Sequence, residues 1–356
     1  FARRGLYLDC SRGKVPTVDT LKQLIEKLAH WKMNELQLYI ENVFAFRRHP
    51  AISRGYDPFT VDDLLDVQAH AARHHVTFVP SLASFGHMER VLGLPAYRHL
   101  AERPGTHGLP GGTTLCPLDP GSIRLMAELY EEFLPIFTAD DFNACGDEPW
   151  ERGKGRSARA AARVGVGKVY AGFIRKLHAQ SDRHGKRLNL WADIVLQHPE
   201  MLSELPRDMI MLNWDYQAQG QRIPRSREIV AAGFPLVVCP GTGSWQVHGT
   251  RMENATGNVI RFAAEGRRQK ALGLLMTDWG DWGHRQPLGV SLRAYAHAAA
   301  HAWHGRGVEE STFTARFCRG MLMRDEVELP ESIERLGRMA GLVGNDGGLY
   351  HGLVEP

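Results

Sequence analysis

The residue types best suited to chemistry in this sequence are two neighbouring acids, Asp147 and Glu148, which directly follow a largely apolar stretch at 142–145. Side chains alternate between the faces of a strand, so two successive acids can address one ligand only where the strand ends and the backbone turns, as Gly146 favours. In a shared cleft, one carboxylate charge raises the pKa of a neighbour that packs against an aromatic ring such as Trp150. The pair indicates acid–base chemistry, although an isolated Asp-Glu pair is also typical of a solvated turn after a strand.

Strand-like and helix-like stretches alternate along the chain and would position this pair. The predicted strands are largely apolar and cover 6–9, 35–40, 76–82, 142–145, 186–192, 209–214, 235–239 and 273–277. The predicted helices cover 17–31, a stretch opened by the capping-box pair Thr60 and Asp63, 122–137, 167–184, 199–204, 225–232, 254–268 and 291–303. Buried strands that alternate with helices about eight times favour a closed parallel sheet over a sandwich. The sequence therefore predicts an α/β fold, a (β/α)8 TIM barrel.

Polar and aromatic residues follow each predicted strand. In a (β/α)8 barrel, the carboxyl ends of the strands form the functional face. The residues at those ends are, in strand order, Asp9 and Arg12, Glu41 and Asn42, His87 and Glu89, Asp147 and Glu148, Trp191 and Asp193, Trp214 to Tyr216, Gly241 to Trp245, and Asp278 to His284. This clustering predicts one site that contains the acid pair.

Tryptophan is concentrated at the same strand ends. Six of the eight tryptophans lie at or just beyond them: Trp150, Trp191, Trp214, Trp245, Trp279 and Trp282. Indole rings stack on the C–H faces of a sugar, while acids and amides bind its hydroxyl groups. The set predicts a carbohydrate site; the alternative for any single tryptophan is that it plugs the barrel mouth.

The composition argues against several partners. With 43 basic and 40 acidic side chains the net charge is +3, too small to indicate binding to nucleic acid or to an anionic membrane. No stretch is apolar for long enough to cross a bilayer. Metal-dependent barrel hydrolases often carry a His-x-His pair after the first strand, where this chain has Asp9 to Arg12. We expect neither a metal nor a cofactor in the site.

The cysteines and the start of the chain bear on where the protein works. The five cysteines, at positions 10, 116, 145, 239 and 318, are scattered and odd in number, which predicts reduced, buried thiols instead of a disulfide framework. The chain opens in a strand without a signal peptide. We expect a cytoplasmic protein with a further segment upstream of residue 1. The sequence leaves the oligomeric state open, with a homodimer as one alternative.

Three segments fall outside the strand–helix repeat. Residues 93–120, rich in glycine and proline, are predicted to form a long loop over the barrel mouth and a wall of the site. Basic residues within 152–163 predict a solvated or mobile flap. After a barrel domain at 1–305, a helical pattern at 309–340 predicts a C-terminal helical extension, 306–356, packed on the barrel; its glycine-rich end is assigned no structure.

Several motifs resemble family 20 of the glycoside hydrolases, the β-N-acetylhexosaminidases, over about residues 4–303. The matching motifs are Arg4 to Arg12 on the first strand, Pro80 to His87 on the third, the loop motif Leu115 to Pro117, and Cys145-Gly146-Asp147-Glu148. The resemblance implies that Arg12 holds sugar hydroxyls and that Asp281 binds the outer hydroxyls. It also implies a box around the N-acetyl group and the ring, made by Trp191, Trp214 and Trp279. Apart from the resemblance, Trp245 of the tryptophan set and Tyr216 are further candidate substrate-binding residues.

The chain departs from the family pattern on two strands. The second strand ends in Tyr39-Ile40-Glu41-Asn42, where the family has a His-Leu-x-Asp-Asp-like run. The seventh ends in Gly241-Thr242-Gly243-Ser244-Trp245, where the family has a Tyr-x-Asp whose tyrosine bonds the acetamido group. Either Tyr216 or another group replaces that tyrosine, or the substrate differs from a terminal N-acetylhexosamine.

The resemblance implies an exo-acting, retaining hydrolase that removes terminal β-linked GlcNAc or GalNAc with help from the 2-acetamido group. Asp147 would stay ionised and support the oxazolinium, while Glu148 would protonate the leaving oxygen. His87 would bond Glu148 and tune its pKa, with Glu41 as a third member; the alternative is a buried histidine satisfied by backbone. A non-catalytic carbohydrate-binding barrel, and a related Asp-Glu glycosidase with endo action or another sugar, stay open.

Overall fold

A parallel sheet of eight strands forms the centre of the protein in a computed structural model, which describes residues 1–304, 308–324, 326 and 328–342. Each strand pairs in parallel with its neighbours, in the order β3-β2-β1-β8-β7-β6-β5-β4. The strands are β1 Arg3–Asp9, β2 Glu35–Tyr39, β3 Thr77–Val79, β4 Asp141–Asn143, β5 Arg187–Trp191, β6 Ile210–Trp214, β7 Leu236–Cys239 and β8 Gly273–Asp278. Their register places all eight carboxyl ends on one face.

The two outer strands of this order, β3 and β4, approach each other just beyond β3. A parallel bridge joins Ser81 to Asn143. Asn143 N donates to Pro80 O at 2.9 Å, and Leu82 N donates to Asn143 O at 3.1 Å. With helices between the strands, this contact nearly closes the sheet, and the predicted (β/α)8 TIM barrel is confirmed.

Helices cover the outside of the sheet. They are α1 Val18–His30, α2 Val61–Arg73, α3 Glu89–Leu92, α4 Pro120–Phe133, α5 Ala158–Val164, α6 Val166–Arg183, α7 Asp193–Gln197, α8 Ser226–Ala231, α9 Met252–Arg268, α10 Leu292–Trp303, α11 Glu310–Leu322 and α12 Glu328–Leu342. Short 3-10 helices occupy Arg98–Leu100, Thr106–Gly108, Leu134–Ile136, Pro199–Glu204 and Leu288–Val290. The predicted capping box opens α2, with Thr60 and Asp63 each bonding the backbone of the other. Within the described ranges, no helix is both long and apolar enough to span a membrane.

The basic segment after Trp150 differs from its predicted flap. Residues Ala158–Val164 form α5, and Arg156 forms an ion pair with Asp119 at 2.5 Å. Gly155 N and Ser157 N both donate to the buried carboxylate of Glu102. The segment is therefore ordered by hydrogen bonds to a buried carboxylate. Its many arginines had suggested a solvated segment, and the sequence gives no sign of this distant partner.

The first of the C-terminal helices packs on the barrel through α10. Phe313, Phe317 and Cys318 of α11 are buried against Ala296. Further along, α12 lies against α9, where a Cβ atom on Gly337 would lie 2.7 Å from Met252 Cβ. The division into domains at 1–305 and 306–356 stays a prediction, and most of the glycine-rich end at 341–356 lies outside the described residues.

Candidate active site

The acid pair lies on a turn with left-handed backbone that follows β4. Gly146 and Glu148 have φ angles of 79° and 44°, a region that residues other than glycine seldom occupy. A Cβ atom at Gly146 would lie 2.6 Å from Leu190 Cδ1, and the Gly146 carbonyl accepts a hydrogen bond from the Tyr170 hydroxyl at 2.7 Å. Backbone strain of this kind persists only where the surroundings fix it. Here it ends the strand and brings both Asp147 and Glu148 to one cleft.

The two acids have different environments. Asp147 is only 6% exposed, whereas the Glu148 side chain is 35% exposed. Burial, and after it the charge of Asp147, raise the pKa of Glu148 above its usual value. Among the described residues nothing hydrogen-bonds the buried Asp147 Oδ1, which leaves an acceptor for a ligand N–H. Glu148 is thus suited to donate a proton, and Asp147 to accept a hydrogen bond.

His87 lies beside both acids. Its Nε2 is 3.3 Å from Asp147 Oδ2 and 3.7 Å from Glu148 Oε2. Burial alone would lower the pKa of His87, but the charge and hydrogen bond of Asp147 outweigh it and raise the pKa to about 9. Nε2 of His87 is thus placed to donate to Asp147 Oδ2, while Arg12 Nη2 lies 3.4 Å from the other ring nitrogen, Nδ1. The predicted contact with Glu148 is the longer of the two and exceeds hydrogen-bond length.

Arg12 forms ion pairs with acidic side chains at the carboxyl ends of β1, β2 and β8. Its Nη1 lies 2.9 Å from Asp9 Oδ2 and 3.3 Å from Asp281 Oδ1, and its Nη2 lies 3.5 Å from Glu41 Oε1. The guanidinium also lies over the Trp279 ring, 5.4 Å from the centroid. A single half-buried cation therefore pairs with three carboxylates around the cleft.

Glu41 belongs to the same network. Burial raises its pKa to about 7, although Arg12 opposes the shift. The Tyr39 hydroxyl donates to Glu41 Oε1 at 2.9 Å. A carboxylate oxygen of Glu41 and a ring nitrogen of His87 lie within 4.8 Å of each other. The structure therefore places Glu41 near His87, with Tyr39 and Arg12 as its direct partners.

An aromatic wall formed by Trp214, Tyr216 and Trp279 lines one side of the cleft. The rings of Trp214 and Tyr216 stack with centroids 4.9 Å apart, and the Tyr216 hydroxyl accepts a hydrogen bond from Trp279 Nε1 at 2.6 Å. Burial, to which the charge of Asp147 adds, raises the pKa of Tyr216 well above its usual value. The Tyr216 hydroxyl therefore keeps its proton and can donate a hydrogen bond to a ligand oxygen. The Trp214 ring already stacks on Tyr216 and lies under the Arg222 guanidinium, 4.0 Å from the ring centroid, so it supports the wall.

The two other aromatic residues predicted to bind substrate lie behind this wall. Trp191 is 1% exposed, with its ring 5.1 Å from Tyr7 and 6.1 Å from Trp279. Trp245 makes an edge contact with Tyr216 at 5.1 Å. The described lining of the cleft contains neither of them. They support the aromatic wall and are not brought into contact with the open space of the cleft.

The cleft has a volume of about 1140 Å³. Nine residues with an assigned catalytic or binding role line it: Arg12, Glu41, His87, Asp147, Glu148, Trp214, Tyr216, Trp279 and Asp281. Trp150 and Trp282 of the predicted tryptophan set line it as well. The loop predicted as a wall contributes His107, Leu109 and Thr113. The volume exceeds the roughly 300–1,000 Å³ common for small-molecule sites, so the cleft has room for a sugar and part of its aglycone.

Comparison with known proteins identifies the chain. The model of the glycosyl hydrolase family 20 catalytic domain matches residues 1–255. This chain belongs to glycosyl hydrolase family 20. Among curated relatives, the family 20 chain is 22% identical over 303 residues to "Hexosaminidase D" of Homo sapiens, covering 80% of this chain and 61% of the human protein. It is 22% identical over 276 residues to "Beta-hexosaminidase" of Vibrio furnissii, covering 68% of this chain and 43% of that protein.

Solved structures of family 20 proteins share the fold of the chain. A β-N-acetylhexosaminidase from Bacteroides fragilis superposes with a TM-score of 0.71 at 16% identity, covering 90% of this chain and 70% of that one. An exo-β-N-acetylglucosaminidase from Vibrio harveyi gives a TM-score of 0.70 at 17% identity, covering 95% of this chain and 58% of that one. The family 20 chain spans less than two thirds of the length of the human and Vibrio furnissii relatives.

Two further residues of this family 20 site were not assigned a role from the sequence. Asp193 Oδ2 accepts a hydrogen bond from Glu148 N at 3.2 Å, and burial, followed by the charge of Asp147, raises the pKa of Asp193 to about 7. A Cβ atom on Gly86 would lie 2.3 Å from the Asp147 carbonyl oxygen. The place of Asp193 directly after β5 could have suggested its role. Gly86 lets the loop after β3 pack closely against the turn that carries Asp147. This contact joins two segments that are distant in sequence, so no local sequence pattern predicts it.

Proposed function

We propose that this family 20 chain is an exo-acting, retaining hydrolase that releases terminal β-linked N-acetylhexosamine. The observation that carries the proposal is the contrast between buried Asp147, with a free acceptor atom, and partly exposed Glu148, with a raised pKa. Consecutive acids on one turn suit a mechanism in which the nucleophile comes from the substrate, an exception to the usual pair of facing carboxyls. The names of the relatives, "Hexosaminidase D" and "Beta-hexosaminidase", support the same substrate class.

The first step forms a ring within the substrate. The acetamido carbonyl oxygen attacks the anomeric carbon, the bond from that carbon to the leaving oxygen breaks, and Glu148 transfers its proton to that oxygen. Asp147 accepts a hydrogen bond from the acetamido N–H, and the negative charge of Asp147 stabilises the oxazolinium cation. His87, whose Nε2 lies 3.3 Å from Asp147 Oδ2, places a positive charge beside that carboxylate when it is protonated, while the raised pKa of Glu148 lets this residue carry the proton that it transfers.

The second step returns the enzyme to its starting state. Ionised Glu148 removes a proton from water, whose oxygen attacks the anomeric carbon from the face that the aglycone left. The bond from the anomeric carbon to the acetamido oxygen breaks, and the acetamido group is restored. Two inversions at one carbon give a product with the β configuration of the substrate.

Tyr216 is the residue that we propose to replace the missing seventh-strand tyrosine. A Cβ atom at position 241 would lie 2.7 Å from Tyr216 Cδ1, so the glycine at 241 makes room for the Tyr216 ring. The ring lies between Trp214 and Trp245, and the hydroxyl is held by Trp279. From there the hydroxyl would donate to the acetamido oxygen and align it for attack.

A panel of chromogenic aryl β-glycosides tests this function. The proposal expects turnover of aryl N-acetyl-β-glucosaminide or N-acetyl-β-galactosaminide, and no comparable turnover of the matching glycosides that have a hydroxyl in place of the 2-acetamido group. Equal turnover of both classes would contradict the dependence on the acetamido group. Binding of N-acetylhexosamine without any turnover would favour the carbohydrate-binding barrel, and turnover only of internal linkages would favour endo action.

A further inference from the structure

A second cluster of ligand-type side chains lies outside the barrel mouth, where α10 meets α11. His297 and His301 are four residues apart and therefore lie on one face of α10. Glu310, in the first turn of α11, places Oε2 2.8 Å from His297 Nε2 and Oε1 2.9 Å from His301 Nε2. The proposed hydrolysis uses none of the three, and none of them lines the described cleft.

Burial sets this cluster apart from a surface ion pair. The side chains of His297 and His301 are 1% and 6% exposed, whereas that of Glu310 is 34% exposed. Two almost fully buried imidazole nitrogens therefore face one carboxylate that is partly open to solvent, an arrangement of donors that converges on one point instead of lying on the protein surface.

Neighbouring side chains orient these donors. The Phe313 ring contacts the His297 ring edge-on with centroids 5.0 Å apart. The nearby cation, Arg293, donates hydrogen bonds to Thr314 Oγ1 at 3.0 Å and to Thr256 Oγ1 at 3.4 Å. Its charge is thereby held by neutral partners, and the carboxylate of Glu310 is directed at the two histidines.

We propose that His297, His301 and Glu310 bind a divalent transition-metal ion, best matched by Zn²⁺, which fastens α11 to the barrel. Two imidazoles and one carboxylate are a common zinc donor set, whereas Ca²⁺ and Mg²⁺ prefer oxygen ligands. Ligands of a tetrahedral zinc ion at about 2.0–2.1 Å lie roughly 3.3 Å apart. The separations of 2.8 to 3.0 Å between each histidine nitrogen and the Glu310 oxygens would need to widen by only a few tenths of an ångström. The three ligand atoms all lie within 4.8 Å of one another. The exposed side of Glu310 leaves the fourth position to water.

A similar but more exposed trio provides a matched control within the chain. His70, on α2, and His74, the residue that ends this helix, have the same four-residue spacing, and His70 Nε2 lies 3.2 Å from Glu26 Oε1 on α1. The Glu26 side chain is 53% exposed. The donor types are identical to those of the trio at α10. A difference between the two trios in affinity for Zn²⁺ would therefore reflect differences in their burial and in the orientation of their side chains.

Titration of the whole, chelator-stripped protein with Zn²⁺ by calorimetry, and with Co²⁺ by visible absorption, tests the proposal. We expect one tight equivalent with tetrahedral Co²⁺ bands in the wild-type protein and in the double variant His70→Gln/His74→Gln. The double variant His297→Gln/His301→Gln should lose that equivalent, and Glu310→Gln should weaken it by about 100-fold, since loss of even an outer partner of a metal ligand costs 10- to 100-fold. Loss in the His70/His74 variant instead, or no tight equivalent in any protein, would overturn the proposal.

If the variant His297→Gln/His301→Gln fails to fold, because both histidines are buried, thermal unfolding of the other proteins, with and without Zn²⁺, tests the proposal. Glu310→Gln retains a neutral acceptor for the histidine N–H groups and should fold. A fixed excess of Zn²⁺ should raise the Tm of the wild-type protein and of the His70/His74 variant, and should raise that of Glu310→Gln much less, because its site binds more weakly. An equal rise in all three proteins, or no rise in the wild type, would mean that the trio is only a hydrogen-bonded contact between helices.

Discussion

The Nε2 atom of His87 lies 3.3 Å from Asp147 Oδ2, in a pair that is almost withdrawn from water. Because the folded-state pKa of His87 is raised from 6.5 to about 9, the pair stabilises the fold fully below pH 6.5. That stabilisation is lost as the pH rises through about 9. The shift corresponds to at most about 3 kcal/mol in the free energy of unfolding.

His87→Gln should remove this pH dependence. Between pH 6.5 and 9 the free energy of unfolding of the wild-type protein should fall relative to that of the variant, by up to about 3 kcal/mol. Urea denaturation at several pH values measures both. Parallel curves for the two proteins would show that Asp147 and His87 do not form an ion pair in the folded state.

Glu148→Gln should slow the hydrolysis of a substrate most when its leaving group must be protonated in order to depart. We expect kcat/KM to fall by roughly 10²- to 10⁴-fold for N-acetylhexosaminides with poor leaving groups, and much less for aryl glycosides whose leaving groups depart without a proton. Glu200→Gln, at a glutamate whose side chain is 62% exposed, is the matched control and should behave as wild type. Equal losses on both substrate types would argue against Glu148 as the acid.

Tyr216→Phe should slow the attack of the acetamido oxygen, because the substitution removes the hydroxyl that we propose to align this oxygen. A neutral hydrogen bond that aligns the acetamido oxygen is worth about 0.5–1.5 kcal/mol, so kcat/KM on N-acetyl substrates should fall roughly 2- to 10-fold. The loss should not vary with pH across the active range, because the raised pKa of Tyr216 keeps its proton in place. Tyr97→Phe removes a hydroxyl bonded to His49 at 2.9 Å, away from the cleft, and serves as the control. Unchanged kinetics in Tyr216→Phe would exclude the tyrosine from substrate alignment.

Gly86→Ala should damage the site through the backbone. The new Cβ atom would lie 2.3 Å from the Asp147 carbonyl oxygen, so the turn that carries both acids must shift. A displacement of about 1 Å can cost 10²-fold in rate, and we expect a loss of about that size in kcat. Gly172→Ala, on α6 with no atom within 4 Å of the new Cβ, should keep full activity. It should also gain roughly 0.5–1 kcal/mol in stability. Full activity in Gly86→Ala would contradict the proposed role of this contact.

Local patterns in the sequence carried the prediction of the barrel. Apolar strands followed by amphipathic helices recur along the chain, and the capping box of Thr60 and Asp63 marks the start of α2 as expected. The helix at Ala158–Val164 was missed because its arginines suggested a solvated flap. What orders that segment is the carboxylate of Glu102, more than fifty positions away in sequence, and no local pattern reveals such a partner.

The sequence carries more information about position than about contact. Nine of the residues with an assigned catalytic or binding role line the cleft and their roles stay predictions, but the rule that functional residues follow the strands says nothing about side-chain direction. Trp191 and Trp245 therefore lie behind the wall. His87 has a φ of 57°, and its nearer partner is Asp147 instead of the predicted Glu148. Such preferences depend on backbone geometry that forms only when the loops after β3 and β4 pack together.

Turnover of a series of aryl N-acetyl-β-hexosaminides whose acetamido methyl carries no, one, two or three fluorines tests the central claim most directly. Fluorine withdraws electrons from the carbonyl oxygen and weakens it as a nucleophile, while the leaving group stays the same. If the acetamido oxygen attacks with the support of Asp147, log(kcat/KM) should fall steadily with each added fluorine, and the released sugar should retain the β configuration. A rate that is independent of fluorination would contradict the account.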